Sequence, residues 1–275
     1  MRLTAEITTD ILSRLVSILS TFGNNVILHF SESYLSLCIP HDSTQVGVWV
    51  GCSISSCFNK YEVQSKNSNT VSMKLSPSEL AQGISLDTSP SIQLYLSRSN
   101  DFVYLQLTHK SLDTLRQLEH RVPILLLVPT VIQQYAEPDW EQASICARLP
   151  PLRSVINWCS NARNIHNYVT ISIVKNTTTG DTDMILKVEN EMVSVSTTFY
   201  DLQPNVDEID ASREIDCSVY IDLKKFLKIL KVNLLQPTVA LIYIVDKKYV
   251  RLHFEVPANT TSSASMTYFL NSSSH

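Results

Sequence analysis

Histidine is the side chain most often used for acid–base work near neutral pH, and this chain carries seven: His29, His41, His109, His120, His166, His253 and His275. They are dispersed. None falls in an HExxH pair that would put two zinc ligands on one helix face, and no GxSxG turn presents a serine nucleophile. The six cysteines (Cys38, Cys52, Cys57, Cys146, Cys159, Cys217) contain no CxxC pair. Cys52 and Cys57 are the closest two, but no nearby histidine or second pair completes a zinc set, so reduced thiols in a core are expected. Asp181-Thr182-Asp183 after Gly180 resembles a metal loop only faintly and reads as a hairpin turn. With five glycines in the whole chain, glycine-rich phosphate cradles are absent. No catalytic residue, metal or cofactor is therefore expected. One spacing does carry a possible chemistry. Lys224, Lys228 and Lys231 fall within about 60° of one another at about 100° per residue, with Lys225 to one side. Such a stripe is either an ordinary solvated helix face or a surface that attracts phosphate.

The element that would hold these lysines is an amphipathic helix from Asp222 to about Val232, with Leu223, Phe226, Leu227 and Leu230 buried at i, i+3, i+4, i+7. Three more stretches have helical spacing. Asp10 to Thr21 gathers Ile11, Leu12, Leu15, Val16, Ile18 and Leu19 on one face, with Arg14 on the other. Ser76-Pro77-Ser78-Glu79 combines an N-cap serine, a proline at the first helical position and a glutamate three residues after the cap, and opens a helix to about Leu86. A helix from Pro150-Pro151 turns Leu152, Val155, Ile156 and Cys159 inward, and Arg153, Asn157, Ser160 and Asn164 outward.

The rest alternates with the period of β-strands. Strands are expected at Val26–Phe30, Tyr34–Ile39, Val46–Val50, Phe58–Val63, Thr70–Leu75, Ile92–Leu96 and Phe102–Thr108 in the first half. In the second half they are expected at Ser144–Ala147, Val169–Val174, Met184–Val188, Val193–Phe199, Ser218–Ile221, Val239–Val245, Tyr249–Val256 and Ser265–Leu270. Helices starting near residues 10, 76, 150 and 222 place the halves 140 and 146 residues apart. Two copies of one β-α-β(n)-α-β(n) unit, α+β in class with antiparallel sheet, account for this offset. The expected domains are residues 1–120 and 138–275, joined by a connector over 121–137 that Pro123, Pro129 and Pro138 keep extended. Within it, Ile124 to Val128 reads as a buried strand.

Composition narrows the possible partners. The 275 residues are 44% hydrophobic and 17% charged, with a formal net charge of -4, which fits a folded core and excludes a generally basic nucleic-acid binder. Any attraction to phosphate must come from a local patch. Acids at Asp207, Glu208, Asp210, Glu214 and Asp216 crowd a loop that can face away from such a patch. Met1 to Ser20 is broken by Glu6, Asp10 and Arg14, and no run of about 18 apolar residues occurs. A soluble, intracellular protein with no membrane partner is expected.

A tandem pair of two-helix units with a long connector is the layout of a DNA sliding clamp, and several segments resemble one clamp family. Val193-Ser194-Val195-Ser196-Thr197-Thr198-Phe199-Tyr200-Asp201-Leu202 is similar to the V-x-T-x-F-x-D-L stretch of the Hus (hydroxyurea-sensitive) subunit of the nine-one-one DNA-damage checkpoint clamp. So are Tyr220 to Leu227 with Gln236-Pro237-Thr238-Val239-Ala240-Leu241, the pairs Val122-Pro123, Val128-Pro129, Glu137-Pro138 and Leu149-Pro150, and His120, Trp49 and Phe58 in their places. The resemblance spans nearly the whole chain and rests on the ordered set.

It implies two tandem PCNA-like clamp domains, each with two helices packed on antiparallel sheet, the helices facing the interior of a ring. It further implies a nuclear, non-catalytic subunit of a heterotrimer with two other clamp subunits. Such a ring is placed on double-stranded DNA by a clamp loader at damage or stalled forks, binds it without reading sequence, and recruits checkpoint and repair proteins. Under this reading Lys224, Lys225, Lys228, Lys231, Arg14, Arg153 and Arg163 face the DNA channel. Leu112 and Leu115, within Ser111 to Glu119, and Val193, Val195 and Thr197, within Met192 to Phe199, lie at edges that meet neighbouring subunits. Ile124, Leu126 and Val128 border a connector groove for partner peptides. The short tail from Asn259 leaves kinase-activator docking to another subunit. The alternatives are a homotrimeric PCNA-type replication clamp and, from a different class, an α+β hydrolase.

Overall fold

Six apolar residues on one side of Asp10 to Leu19 have only one way to leave water together, and they do so as a helix whose Ile11, Leu12, Leu15, Val16, Ile18 and Leu19 are all buried. The computed structural model describes residues 1–7, 10–40, 46–85, 91–110, 117–175, 182–202, 216–258 and 262–273. Contacts divide the chain into two units, residues 1–137 with 257–266 and residues 138–256 with 267–275.

The first unit runs β1 (Arg2–Ile7), α1 (Asp10–Leu19), β2 (Val26–Phe30), β3 (Tyr34–Ile39), β4 (Gly47–Ser53), α2 (Ile54–Cys57), β5 (Phe58–Gln64), β6 (Val71–Leu75), α3 (Pro77–Ser85), β7 (Ile92–Ser99), β8 (Phe102–Lys110), β9 (Gln117–Pro123), β10 (Leu125–Leu126) and α4 (Pro129–Ile132). Its strands pair antiparallel in the orders β5-β1-β7-β8-β9 and β10-β6-β2-β3-β4. Helices α1 and α3 pack on each other. The start of α3 is built as its sequence demands: Pro77 stands at the first position, and the Glu79 N–H donates to Ser76 Oγ at 3.3 Å. His109 Nε2 donates to the Gly83 carbonyl at 2.8 Å and His120 Nε2 to that of Glu79 at 3.2 Å. Glycine is needed at 83 for this approach, since a Cβ there would lie 2.4 Å from His120 Cδ2.

The second unit contains β11 (Ile145–Arg148), α5 (Leu152–Ala162), β12 (Tyr168–Lys175), β13 (Thr182–Glu189), β14 (Ser194–Leu202), β15 (Cys217–Asp222), α6 (Leu223–Leu230), β16 (Val239–Val245), β17 (Tyr249–Pro257) and β18 (Ser263–Asn271). Its strand orders are β14-β13-β12-β15 and β18-β17-β16-β11, and α5 packs on α6. Each order has a counterpart in the first unit, β4-β3-β2-β6 and β9-β8-β7-β1. The same strands in the same order, with two helices, make the units structural repeats.

Five sequence expectations need correction. Strand β1 was not among those expected, although its alternation is clear: Leu3, Ala5 and Ile7 are buried between the more exposed Thr4 and Glu6. The segment 121–137 is not uniformly extended. Its first residues complete β9, and Pro129, whose fixed φ suits the first turn of a helix, opens α4, followed by a 3-10 turn at Gln133–Tyr135. Ile124 to Val128 is not a buried strand, because its ladder with β6 is only Leu125–Leu126, followed by one bond from the Leu127 N–H to the Ser72 carbonyl at 2.9 Å, and both Leu125 and Val128 are exposed. In α6 the buried set is Leu223, Phe226, Ile229 and Leu230, with Leu227 half-buried, because the apolar face centres one position further round. In α5 Ala162 is buried and Ile156 half-buried.

Phe226 has no exposed surface and ties α6 to its unit. Phe226→Ala is expected to cost about 3–5 kcal/mol, read as a lower denaturant midpoint at unchanged slope.

Candidate functional site

Helix α6 begins where β15 ends. Asp222 caps it, its carboxylate accepting the Lys225 N–H at 2.9 Å. With Leu223, Phe226, Ile229 and Leu230 committed to the core, the lysines are left on the opposite side. Lys224 and Lys231 are exposed, and Lys225 and Lys228 are half-buried. Partial burial pushes the Lys228 ammonium below its usual pKa, and the neighbouring Lys231 and Lys224 charges push it further. The three ammoniums therefore share one patch, and among the described residues no ion pair is formed by Lys224, Lys225 or Lys231.

The arginines are less uniform. Arg14 lies on α1 in the other unit, 3.9 Å from Asp10. Arg153 is exposed in the first turn of α5 and Arg163 is exposed at its C-cap, so α5 and the helix packed on it both carry cations. Arg153 also borders an open cleft of about 530 Å³ with Arg148, Pro150 and Leu234.

Among the described residues, β14 and β9 each end a sheet order. Met192, Val193, Val195 and Tyr200 are exposed along or beside β14. The hydrogen-bond parity of β14 is set by its hairpin: the Asn190 N–H donates to the Val193 carbonyl at 2.9 Å, so bonded and non-bonded pairs alternate from there. In the register Val195↔Val188, Ser196↔Lys187, Thr197↔Leu186, Thr198↔Ile185, the backbone groups of Val195 and Thr197 turn toward β13. Those of Ser194, Ser196 and Thr198 turn outward. Sequence reasoning picked side chains at Val193, Val195 and Thr197 and missed these three. On β9 the Ile124 N–H donates to Val103, which by the same alternation turns Gln117, Glu119 and Arg121 outward and places Pro123 where its missing N–H interrupts no bond to β8. Leu112 and Leu115 lie outside the described residues.

None of Ile124, Leu126 and Val128 lines the cleft found beside the connector. Ile124 and Leu126 are half-buried and Val128 is exposed, but the cleft beside the connector, about 180 Å³, is lined by Tyr135, Ala136 and Glu137 against Tyr34, Cys38 and Trp49. The Trp49 indole N–H donates to the Tyr135 carbonyl at 3.2 Å and holds the connector there. The aromatic residues at 34, 49 and 135 were the available signal.

Comparison with known proteins gives consistent matches. Residues 1–274 match the model of a family described as Hus1-like protein. Checkpoint protein HUS1 of Homo sapiens is 24% identical over 271 residues, covering 94% of this chain and 93% of that one. The checkpoint protein hus1 homolog of Dictyostelium discoideum is 23% identical over 247 residues, covering 88% and 89%. Among solved structures, the Proliferating Cellular Nuclear Antigen of Entamoeba histolytica superposes with a TM-score of 0.73 at 12% identity, covering 99% of both chains. The PCNA of A. fulgidus, solved with the C-terminal region of FEN-1 bound, gives 0.69 at 15% identity, again over 99% of both. The fold is that of the PCNA-like clamps.

Proposed function

The chain belongs to the Hus1-like protein family, and from that premise we propose that it is one subunit of a heterotrimeric checkpoint sliding clamp. It acts in the nucleus without catalysis, encircles double-stranded DNA, and serves as a platform for a clamp loader and for checkpoint and repair proteins. The observation that carries this reading is the pair of unmatched strand edges. In the first unit Ser265, among the residues 257–266 that group with it, donates from Oγ to the Gly51 carbonyl of β4 at 3.4 Å, and β18 follows β4 in the sheet order. The repeat counterparts of β4 and β18 are β14 and β9, which have no such partner among the described residues. A β14 edge of one chain and a β9 edge of another are the strands the repeat leaves to pair, and a chain with one edge of each kind propagates head to tail and closes into a ring.

Under this reading Lys224, Lys225, Lys228, Lys231, Arg153 and Arg163 contribute to the channel wall, and Arg14 adds a weaker cation from the first unit. The outward backbone of Ser194, Ser196 and Thr198 supports the subunit contact, flanked by the Val193, Val195 and Thr197 side chains. The cleft at Tyr135, near the end of the connector that also carries Ile124, Leu126 and Val128, suits an extended peptide.

Co-expression with the two other clamp subunits, followed by size-exclusion chromatography, tests the assignment. One equimolar complex of three different chains is expected, whereas a homotrimer of this chain alone would overturn it.

A further inference from the structure

Cys52 lies near the end of β4, and Cys57 closes the single helical turn α2. That turn folds the second thiol back onto the first, leaving the two Sγ atoms 3.2 Å apart. Both residues are buried, at 1% and 0% exposure. The two sulfurs are not equivalent. The contact between them holds the Cys57 thiol below its usual range, while the same contact and burial push Cys52 up. Burial pushes the Cys38 and Cys159 thiols up to about 12 and Cys217 up to about 11, away from the reactive thiolate form. The turn that holds the pair is weakly built. It has four residues, and its N-cap Ser53 makes no side-chain bond to a helix N–H, bonding Ser56 Oγ at 2.5 Å instead.

We infer that Cys52 and Cys57 form a redox-active dithiol that a small peroxide closes to an intrachain disulfide. Cys57 Sγ, as thiolate, attacks one peroxide oxygen. The O–O bond breaks, hydroxide leaves and takes up the thiol proton as water, and Cys57 becomes a sulfenic acid. Cys52 Sγ then attacks the Cys57 sulfur, the S–O bond breaks, and a second water carries away the Cys52 proton. In sum, two thiols and one hydrogen peroxide give one disulfide and two waters, the protein losing two electrons to the peroxide. A disulfide at about 2.05 Å requires the sulfurs to close by roughly 1 Å, which a one-turn helix can absorb. Burial sets the oxidant: hydrogen peroxide enters when α2 opens, but a bulky disulfide such as oxidised glutathione cannot reach either sulfur in the folded chain. Closure ties the end of β4 to the turn that feeds β5.

The test counts thiols in the full-length chain. After exposure to hydrogen peroxide, quenching, and unfolding in an alkylating reagent, the titre is expected to fall from six to four, with the lost pair mapped by mass spectrometry to Cys52 and Cys57. The chain should be lighter by about 2 Da, and a reductant should restore all six thiols. Oxidised glutathione should leave all six. Cys57→Ser should retain its five thiols through the peroxide step, and Cys38→Ser should fall from five to three. Six thiols surviving peroxide, a disulfide mapped elsewhere, or terminal oxidation of Cys57 without a bond to Cys52 overturns the inference. Loss of thiols to oxidised glutathione overturns the gating by burial. Mapping in the unmodified chain decides the matter even where a variant fails to fold.

Discussion

Ser196→Pro is expected to prevent this chain from joining its ring while leaving its own fold intact. The backbone of residue 196 faces away from β13, in the non-bonded pair with Lys187, so proline there removes no bond within the chain. It removes a donor from the open edge, worth about 1 kcal/mol. The larger effect is steric, since the pyrrolidine ring stands where a neighbour's carbonyl would approach, and strand addition tolerates no such ring in the middle of a ladder. A loss of association of roughly tenfold or more follows. Thr197→Pro is the informative contrast. Its backbone turns toward Leu186 on β13, so that change should lower the thermal midpoint of the isolated chain as well as its assembly. Ser196→Ala, which keeps the N–H, should assemble normally. Co-expression and size exclusion read assembly, and thermal unfolding of the lone chain reads the fold. An equimolar complex formed by the Ser196→Pro chain would rule out β14 as a pairing edge.

The contrast between positions 196 and 197 also marks how far sequence could reach. Helix α1 was fully legible because six apolar residues repeat at helical spacing over ten residues, and α3 because Ser76 and Pro77 stand at its cap. Strand β1 was harder to see. Its apolar side is only Leu3, Ala5 and Ile7, and its other side is Thr4 and Glu6, the latter held by Lys60 at 3.3 Å and Ser91 at 2.8 Å across its neighbours. Alternation shows which side chains share a face, such as the exposed Val193 and Val195. It carries no information about which backbone groups point outward. That parity depends on the geometry of the hairpin at Asn190 to Val193, where Asn190 Oδ1 takes the N–H groups of Met192 and Val193 and decides the phase of the whole strand. The connector cleft has a similar origin. The resemblance pointed to Ile124–Val128, but the cleft lies where the Trp49 indole N–H meets the connector, a contact 86 residues away in sequence.

Replacing Lys224, Lys228 and Lys231 together by alanine is expected to flatten the salt dependence of DNA binding by the assembled ring without dissociating it. Each lysine that neutralises one phosphate releases counterions worth a slope of about 0.9 in log affinity against log salt, so three lose about 2.7. Over the fourfold change from about 50 to about 200 mM salt, the advantage of the unmodified ring over the variant should shrink about 40-fold. Ring assembly should survive because these lysines stand opposite Phe226, Ile229 and Leu230, which α6 commits to the core. Lys228 adds a second signature. Its ammonium is already disfavoured by partial burial and by Lys231 and Lys224, so an array of phosphates relieves repulsion that the free helix must bear, and the triple change should cost less than the three single changes summed. For a chain whose net charge is -4, attraction to DNA cannot come from the molecule as a whole. It has to come from a face where cations gather and acids are absent, and the exposed side of α6 has that character among the described residues. Equal salt slopes for the unmodified and triple-alanine rings, measured by equilibrium binding to a duplex, would remove α6 from the channel wall.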